Sequence, residues 1–421
     1  MARLILQDAT ILDGDNPARR GDVVIAGERI ETVGRGEPQA GDRVVSLGGR
    51  TVMPGMILGH YHAGYWNMGL GNAPLGLDAP APLQAVRAAS NLKLALECGF
   101  TGVIGAGSPN GIDASMKAAI AEGTITGPRM MTGSRDVSST GHSSDKSYPS
   151  HWQIGAKGGI NRADGPDAFR RAVREEIKDG AEIIKIFATD GHATGGDGSG
   201  LEISRDEFRA AVEAAHERRA KTRAHIANRE SILFALDLGV HIIDHGDGFD
   251  EACIERILEA GAYLTPSMFF PKVMMAAMPG NPFTELMKLP YVEMAEILPV
   301  ANKAGVKLLI GDDYGAGPCT HGRYAEELEL YVDEVGIPAL DVIRWATKYG
   351  AEAMGLGGET GTLEAGKLAD LVVIDGDPLE DITVLQDRSR ILAVLKGGEA
   401  AVDVLAPFEV RADAGEPVPA E

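Results

Sequence analysis

The sequence contains little cysteine and no long run that is both apolar and uncharged. Its three cysteines are far apart and form no Cys-x-x-Cys pair, so neither a disulfide framework nor a thiolate zinc cluster is indicated. The longest stretch without Asp, Glu, Lys or Arg, Thr51 to Leu77, includes six glycines, two prolines and two histidines, which excludes a transmembrane helix. The N-terminal apolar run ends after three residues, too short for the core of a signal peptide, so we expect a cytoplasmic protein.

Positive charge is also scarce. Lys and Arg total 40 against 61 Asp and Glu, a formal net charge of −21. Such a charge repels phosphate backbones and anionic membrane surfaces, so we expect neither nucleic acid nor a membrane as a partner. The 44% apolar and 24% charged residues are ordinary for a globular chain, and a chain of this length can bury a large core.

Short apolar segments alternate with amphipathic helical segments through most of the chain. The helical segments include Leu83–Glu97, Ala114–Ala121, Asp167–Lys178 and Asp206–Arg219, the last opened by the capping box Ser204-x-x-Glu207. The candidate strands are Met56–His62, Thr101–Ala106, Arg129–Gly133, Glu182–Phe187, Thr222–Ile226, His241–His245, Tyr263–Ser267 and Lys307–Gly311.

Eight strand–helix repeats over about 260 residues are the arithmetic of a (β/α)8 TIM barrel. We therefore predict an α/β fold with a barrel over residues 56–360. Residues 1–55 and 361–421 both consist of short strand-like segments, unlike the alternating strands and helices between them. We therefore expect both chain ends to form one small β-sandwich domain beside the barrel.

Two histidines end the first candidate barrel strand. His60 and His62 are separated by one residue, and the strand period of two puts both side chains on one face, about 6.6 Å apart along the strand. That arrangement suits two imidazoles converging on one ion. The alternative is a polar turn after a strand.

Further residues of the kind that bind metals lie at later strand ends. Lys185 lies in the fourth strand, His225 ends the fifth, His245 ends the sixth and Asp313 follows the eighth. Active sites of barrel enzymes are built at the carboxyl ends of the strands, so these residues and the two histidines are expected to meet at one rim.

Lys185 is surrounded by isoleucines, where a protonated amine carries a heavy desolvation cost. Reaction of the amine with CO₂ would give a carbamate with two anionic oxygens, able to bridge two metal ions. The alternatives are a lysine that extends to the rim or one that pairs with Asp313.

Several motifs around these positions are recognisable as a set. They are Met53-Pro54-Gly55-Met56-Ile57-Leu58-Gly59-His60-Tyr61-His62, Ile184-Lys185, Ala224-His225, Asp244-His245-Gly246, Gly311-Asp312-Asp313 and the segment from Gly361 to Val373. Together they resemble the amidohydrolase superfamily over nearly the whole chain. The branch they resemble is that of imidazolonepropionase-like hydrolases, which includes enzymes of the Xaa-Pro and Xaa-Arg dipeptidase type.

The resemblance implies a binuclear centre. It implies His60, His62 and Asp313 as ligands of one divalent ion, and His225 and His245 as ligands of the other. Lys185, carrying a CO₂-derived carbamate, would bridge the two ions together with a hydroxide. The ions would be Zn²⁺ by default, about 3.5–4 Å apart, and Asp313 would move a proton from the hydroxide to the leaving amine.

Two adjacent carboxylates stand where relatives carry Gly-Thr-Asp or Gly-Ser-Asp. Neighbouring residues of a strand point to opposite sides, so only one of Asp312 and Asp313 can face the ions. The resemblance favours Asp313.

The resemblance also indicates substrate contacts. His142 lies in a loop where relatives place a substrate-polarising group, so we expect it to contact the substrate or its oxyanion, the alternative being a loop hydrogen bond. His321 is a candidate pocket residue, and Asn228 stands where dipeptidase-type relatives commonly carry Tyr.

The segment Ser134–Asp164 is predicted to be an irregular connection and the candidate substrate lid. It supplies Tyr148 and Trp152 for apolar packing. Arg135 is a candidate partner for a substrate carboxylate, although a solvated charge is the commoner role of such a residue.

We therefore expect a metal-dependent amidohydrolase that cleaves an amide bond of an N-acyl or N-aroyl amino acid or peptide-like small molecule, aryl amides of the ochratoxin type included. The alternatives are an Xaa-Pro or Xaa-Arg dipeptidase, an imidazolonepropionase-like or carbamate hydrolase, and a mononuclear deaminase. Deaminases typically lack the strand-four lysine and carry Glu at the position of Asn228, and a non-catalytic scaffold would usually lack ligands that this chain retains. Relatives are commonly multimeric, which implies a homo-oligomer.

Overall fold

The strands of the protein form three sheets. The computed structural model describes residues 3–67, 79–143, 145, 158–192, 194 and 196–410. The strands are β1 (Arg3–Ile11), β2 (Arg19–Ala26), β3 (Arg29–Gly34), β4 (Arg43–Ser46), β5 (Thr51–Pro54), β6 (Met56–Tyr61), β7 (Phe100–Gly105), β8 (Arg129–Met131), β9 (Gly133–Ser138), β10 (Ile160–Arg162), β11 (Ile183–Phe187), β12 (Lys221–Ile226), β13 (Ile242–His245), β14 (Tyr263–Thr265), β15 (Lys307–Leu308), β16 (Leu371–Ile374), β17 (Ile391–Lys396), β18 (Glu399–Asp403) and β19 (Glu409–Val410).

Helices follow most of the central strands. They are α1 (Ala81–Glu97), α2 (Ile112–Ala121), α3 (Pro166–Lys178), α4 (Arg205–Glu217), α5 (Arg229–Asp237), α6 (Glu251–Ala260), α7 (Phe269–Ala277), α8 (Pro282–Glu285), α9 (Lys288–Ala304), α10 (Tyr324–Glu329), α11 (Ala339–Arg344) and α12 (Gly350–Ala353). Within the described part of the chain, none of the helices is long and apolar enough to cross a membrane.

The first four helices occupy the segments that the sequence predicts as helical. The capping box of α4 is confirmed, since the Ser204 hydroxyl accepts from the Glu207 N–H and the Glu207 carboxylate accepts from the Ser204 N–H. These two bonds satisfy backbone groups that the first turn of a helix leaves unpaired.

Both chain ends contribute to one nine-stranded sheet, made of β1–β5 and β16–β19. β5 pairs antiparallel with β16, and β4 pairs antiparallel with β19, so the N-terminal and C-terminal segments are joined by backbone hydrogen bonds. An apolar cluster drawn only from these segments is buried in this part of the molecule, with Leu6, Val45 and Val373 fully buried.

The central strands are parallel. β6, β7 and β8 form one sheet, and β9 and β11–β15, with β10 at the edge, form another. Only Thr132 separates β8 from β9, and an isolated parallel bridge joins His60 to Gly311, beyond β15. All residues of β6, β7 and β11 are buried, as expected of parallel strands covered on both faces. The protein therefore has an α/β fold in which the carboxyl ends of the parallel strands share one side.

The predicted irregular connection from Ser134 to Asp164 is wrong at both ends. β9 extends to Ser138, and β10 lies at Ile160–Arg162. The strand β9 is rich in polar residues, so it lacks the apolar run that predicts a buried strand. Two of these residues are buried with partners: the Ser134 hydroxyl accepts from the Lys185 N–H at 2.8 Å, and Arg135 pairs with Glu176.

Candidate metal centre

The two histidines at the end of β6 face each other. The Nε2 atoms of His60 and His62 lie 3.1 Å apart, and both side chains are buried. His62 Nδ1 lies 3.0 Å from the carbonyl oxygen of Gly107. A carbonyl only accepts, so the Nδ1–H donates, which leaves Nε2 as the ring atom available to a cation. His60 Nδ1 lies 3.2 Å from a carboxylate oxygen of Asp244, which favours the same tautomer.

Asp313 completes this group. Its Oδ1 lies 3.1 Å from Nε2 of His60 and 3.1 Å from Nε2 of His62. Three acceptor atoms this close repel one another unless a proton or a cation lies among them. Two imidazoles and one carboxylate are a donor set that divalent transition metals bind.

A glycine allows Asp313 to reach the histidines. Gly311 has a φ of +124°, and a Cβ at this position would lie 2.5 Å from the backbone nitrogen of His60. The chain after β15 therefore passes directly against the end of β6. The Gly311 N–H donates to the buried Glu327 carboxylate at 2.9 Å.

Asp312 faces away from the histidines. Its carboxylate accepts from the hydroxyl of Ser267 and, at 2.8 Å, from the N–H of Phe270. The two adjacent carboxylates thus point to different surroundings, and Asp313 is the one placed against His60 and His62.

His225 and His245 form a second pair of rings beside the first. Their ring centroids lie 4.5 Å apart at 64°, and His245 lies 5.2 Å from His60. Burial lowers the pKa of both rings well below the usual value, so they are neutral, the state that binds metals. Among the described residues, neither His225 Nε2 nor His245 Nδ1 has a hydrogen-bond partner.

Lys185 is also buried beside these rings, on β11. Its Nζ donates to Asp244 Oδ2 at 2.7 Å, so the acidic partner of the lysine is Asp244 rather than Asp313, which the sequence offered as the alternative. Burial would raise the pKa of Asp244, but the charges of Arg223 and Lys185 lower it well below its usual value.

The described residues contain two sets of three whose ligand atoms lie within 4.8 Å of one another. One set is His60, His62 and Asp313, as the sequence predicted. The other is His192, His245 and Asp313, whereas the prediction paired His245 with His225. The histidines and Asp313 converge, and ring nitrogens of His225 and His245 have no hydrogen-bond partner among the described residues. The residues present therefore fit a metal centre.

Comparison with known proteins agrees with this chemistry. The model of the amidohydrolase family matches residues 51–401. The chain belongs to the amidohydrolase family. It is 27% identical to the ochratoxinase of Aspergillus niger over 428 residues, covering 94% of this chain and 86% of that protein. The crystal structure of that ochratoxinase has a TM-score of 0.83 at 25% identity, covering 96% of each chain.

Two other relatives of this amidohydrolase carry different activities. A prolidase solved in complex with N-methylphosphonate-L-proline is 32% identical with a TM-score of 0.82, covering 95% of this chain and 99% of that chain. The 5-methylthioadenosine/S-adenosylhomocysteine deaminase of Moorella thermoacetica is 24% identical over 422 residues, covering 89% of this chain and 86% of that protein. The family and the ochratoxinase relative identify the chain as a metal-dependent hydrolase that acts on C–N bonds.

Sequence reasoning assigned no role to His192, which the structure places in the amidohydrolase site. Its ring stacks on His245 with centroids 4.1 Å apart, and its Nδ1 lies 3.2 Å from Asp247. Its φ of +43° is unusual for a residue with a side chain. His192 and Asp247 do not end an apolar strand run, so the strand pattern gave no sign that they meet at this site.

Asp136 is a second residue that sequence reasoning missed. It lies opposite Lys185 in the pairing of β9 with β11, and burial raises the pKa of its carboxyl to about 7. Within the described residues its Oδ1 has no hydrogen-bond partner. The third predicted barrel strand, Arg129–Gly133, ends too early. Had it been extended beyond Gly133, the prediction would have placed this aspartate at the same rim as the histidines.

His142 and His321, the two histidines predicted to contact the substrate, are surrounded by other side chains of the protein. Burial lowers the pKa of His142 to about 4, and its ring lies 5.4 Å from Phe187, which stacks on His225. His321 donates from Nε2 to the Tyr65 carbonyl at 3.2 Å, and its Nδ1 lies 3.1 Å from the Tyr324 hydroxyl.

Asn228 and Arg135 have partners inside the protein. Asn228 is the N-cap of α5: it accepts from the Ser231 N–H at 2.9 Å, and its amide donates to the Gly198 carbonyl at 2.7 Å. The Arg135 guanidinium forms a buried ion pair with Glu176 at 2.6 Å, a role that neither the substrate-carboxylate prediction nor the solvated-charge alternative described. Tyr148 and Trp152 lie outside the described residues.

Proposed function

We propose that this amidohydrolase holds a binuclear metal centre and cleaves the amide bond of N-acyl or N-aroyl amino acids. The observation that carries the proposal is the convergence of four buried histidines and the buried Lys185 with the partly buried Asp313. Two histidine Nε2 atoms and one Asp313 oxygen lie 3.1 Å apart, and the second pair of rings lies within reach of the first. The parallel pairing of the central strands and the bridge from His60 to Gly311 support the proposal of a (β/α)8 barrel. The sheet shared by both chain ends supports one terminal β-domain, which we propose to be a β-sandwich.

The ligands would divide between two ions. His60, His62 and Asp313 would hold one ion, His225 and His245 the other, and Lys185, as a carbamate, would bridge them. Two divalent ions, Zn²⁺ by default, would supply water activation near neutral pH and polarise the amide carbonyl. The histidine and lysine ligands are buried, with His60 fully shielded from solvent, while the Asp313 side chain keeps 14% of its exposure.

Asp313 is the residue best placed to move the proton. Its Oδ1 points to the histidine pair, while its neighbour Asp312 is held elsewhere. In the proposed reaction the carboxylate accepts a proton from the attacking water and delivers it to the leaving amine, a role for which a fixed carboxylate is suited. His142 would contact the substrate carbonyl.

Similarity to relatives supports more than one substrate class. The ochratoxinase relative favours an amide that joins an aryl acyl group to an amino acid, and the prolidase relative favours Xaa-Pro dipeptides. We favour the acyl and aroyl amino acids because Asn228 replaces the tyrosine of dipeptidase-type relatives. The decisive assay is a panel of N-acyl amino acids, N-aroyl amino acids, Xaa-Pro and Xaa-Arg dipeptides, carbamates and imidazolonepropionate, run at matched metal loading.

Metal analysis separates the proposal from a mononuclear deaminase, which the deaminase relative supports. We expect about two ions per chain. One ion per chain with deamination of an adenosine-type substrate would contradict the binuclear hydrolase, and a chain that binds none and hydrolyses none of the panel would be a non-catalytic relative.

A further inference from the structure

A fully buried arginine lies directly beneath the candidate ligands. Arg223, on β12 two residues before His225, has no solvent exposure. Its Nη1 donates to the carbonyls of Gly59 and Gly105, each at 3.0 Å. These carbonyls belong to β6 and β7, so one side chain ties its own strand to the strand that carries His60 and to the next one.

The rest of the guanidinium faces one carboxylate. Arg223 Nε donates to Asp244 Oδ2 at 2.9 Å, and Nη2 donates to Asp244 Oδ1. A planar guanidinium that binds both oxygens fixes the position and the orientation of a carboxylate, which a lysine at the same place would not do.

Asp244 in turn contacts two of the proposed ligands on different strands. Its Oδ1 lies 3.2 Å from His60 Nδ1, and its Oδ2 accepts from Lys185 Nζ at 2.7 Å. The carboxylate is fully buried, so it makes these contacts without competition from water. One side chain thus sets the relative positions of β6 and β11 at the rim.

The tautomer of His60 depends on this carboxylate. His60 Nδ1 lies between Asp244 Oδ1 and Arg223 Nη2, which is 3.1 Å away. A guanidinium only donates, so Arg223 alone would leave the ring proton on Nε2, the atom that faces His62 and Asp313. Asp244 is the acceptor that permits the proton to stay on Nδ1 and frees the Nε2 lone pair for a cation.

We propose that Arg223 and Asp244 are positioning residues of the metal centre: Asp244 sets the tautomer of His60 and the position of Lys185, and Arg223 holds Asp244. This inference rests on the proposed function, because it assumes that His60 and Lys185 serve a metal centre. Neither Arg223 nor Asp244 is among the proposed ligands.

The test measures metal binding rather than turnover. Asp244→Asn keeps the size of the side chain but replaces one acceptor oxygen with a donor, which faces Arg223 together with either His60 or Lys185. Arg223→Lys keeps a positive charge beside Asp244. An ammonium lacks the planar geometry with which the guanidinium binds both carboxylate oxygens, so the orientation of Asp244 is no longer fixed. Zn²⁺ content after dialysis and Zn²⁺ affinity by chelator competition are measured for both variants.

Asp370→Asn is the matched control. Asp370 is a buried carboxylate bound at two points by Arg129, at 2.7 and 2.9 Å, and lies among residues of the terminal sheet. It matches Asp244 in burial and pairing without contacting a proposed ligand. The melting temperature of each metal-free variant shows how much stability each change removes.

We expect Asp244→Asn and Arg223→Lys to bind Zn²⁺ about 10–100-fold more weakly than the unmodified chain, the usual effect of losing a partner of a metal ligand. Asp370→Asn should bind as the unmodified chain does, even if its melting temperature falls. If Asp244→Asn does not fold, Arg223→Lys alone decides, and unchanged Zn²⁺ affinity in the folded variant would overturn the inference. Absence of stoichiometric metal in the unmodified chain would instead contradict the proposed function.

Discussion

Replacing each of the two adjacent aspartates separately by asparagine separates catalysis from structure. Asp313 Oδ1 lies 3.1 Å from Nε2 of both His60 and His62, whereas the Asp312 carboxylate binds Ser267 and Phe270. Both changes preserve side-chain size and remove one negative charge. Their consequences should differ because the two side chains serve different neighbours.

The expected magnitudes follow from those contacts. Loss of a general acid–base carboxylate lowers kcat about 10²–10⁴-fold, which corresponds to about 2.7–5.4 kcal/mol of transition-state stabilisation at about 1.36 kcal/mol per factor of ten. Asp313→Asn should show this loss and remain folded. Asp312→Asn turns an acceptor toward the Ser267 hydroxyl or the Phe270 N–H into a donor, and an unsatisfied buried group costs about 1–3 kcal/mol of stability.

The assay is kcat on the best panel substrate at matched metal content, together with the melting temperature of each variant. We expect Asp313→Asn to show the larger fall in kcat and Asp312→Asn the larger fall in melting temperature. A greater loss of kcat in Asp312→Asn would refute the assignment of Asp313 as the catalytic carboxylate. It would mean that Asp312, rather than Asp313, acts beside the histidines.

Three further predictions test other parts of the site. Lys185→Ala should lose the bridging group and with it activity and bound metal, excess acetate should partly restore both, and Lys185→Arg should fail equally; two tightly bound ions and full activity in Lys185→Ala would disprove the carbamate bridge. The unmodified chain should show a higher kcat/KM for N-acyl or N-aroyl amino acids than for Xaa-Pro dipeptides, and Asn228→Tyr should shift that ratio toward the dipeptides. The tyrosine also removes the N-cap of α5, at a cost of about 1 kcal/mol, so Asn228→Ser, which keeps a capping oxygen, is the control; faster Xaa-Pro turnover by the unmodified chain would contradict the prediction. Burial raises the pKa of Glu327 from 4.5 to about 8, and an acid whose folded pKa is raised stabilises the fold below pH 4.5 and loses that contribution as the pH rises to about 8. The melting temperature of the unmodified chain relative to Glu327→Gln should therefore fall across that interval, and a pH-independent difference between the two would contradict the raised pKa.

The local pattern of the sequence was enough to predict many strands and helices and to place His60 and His62 on one face. Apolar strand runs separated by amphipathic helices predicted the positions of β6, β7, β11 and β12, because burial on both faces of a parallel strand demands continuous apolar residues. The spacing of His60 and His62 predicted their shared face, because the period of a strand is two. The same rule separated Asp312 from Asp313.

Contacts between distant segments were decided by the tertiary structure. The pairing of Lys185 with Asp244 instead of Asp313, and of Arg135 with Glu176 instead of a substrate, joins residues on different elements. Sequence spacing carries no information about which of several buried acids a buried base will meet. The polar strand β9 was missed for a related reason, since Ser134 and Arg135 meet their partners, Lys185 and Glu176, far along the chain.

The sequence by itself determined which residue types reach the rim and which family the chain resembles, because those depend on local order along each strand. Only the tertiary structure decided how these residues are supported. Arg223 meets Asp244, and His192 meets His245 and Asp247, through the packing of neighbouring strands and loops. Desolvation inside that packing makes each buried charge depend on a particular partner, and the choice of partner is set by three-dimensional proximity.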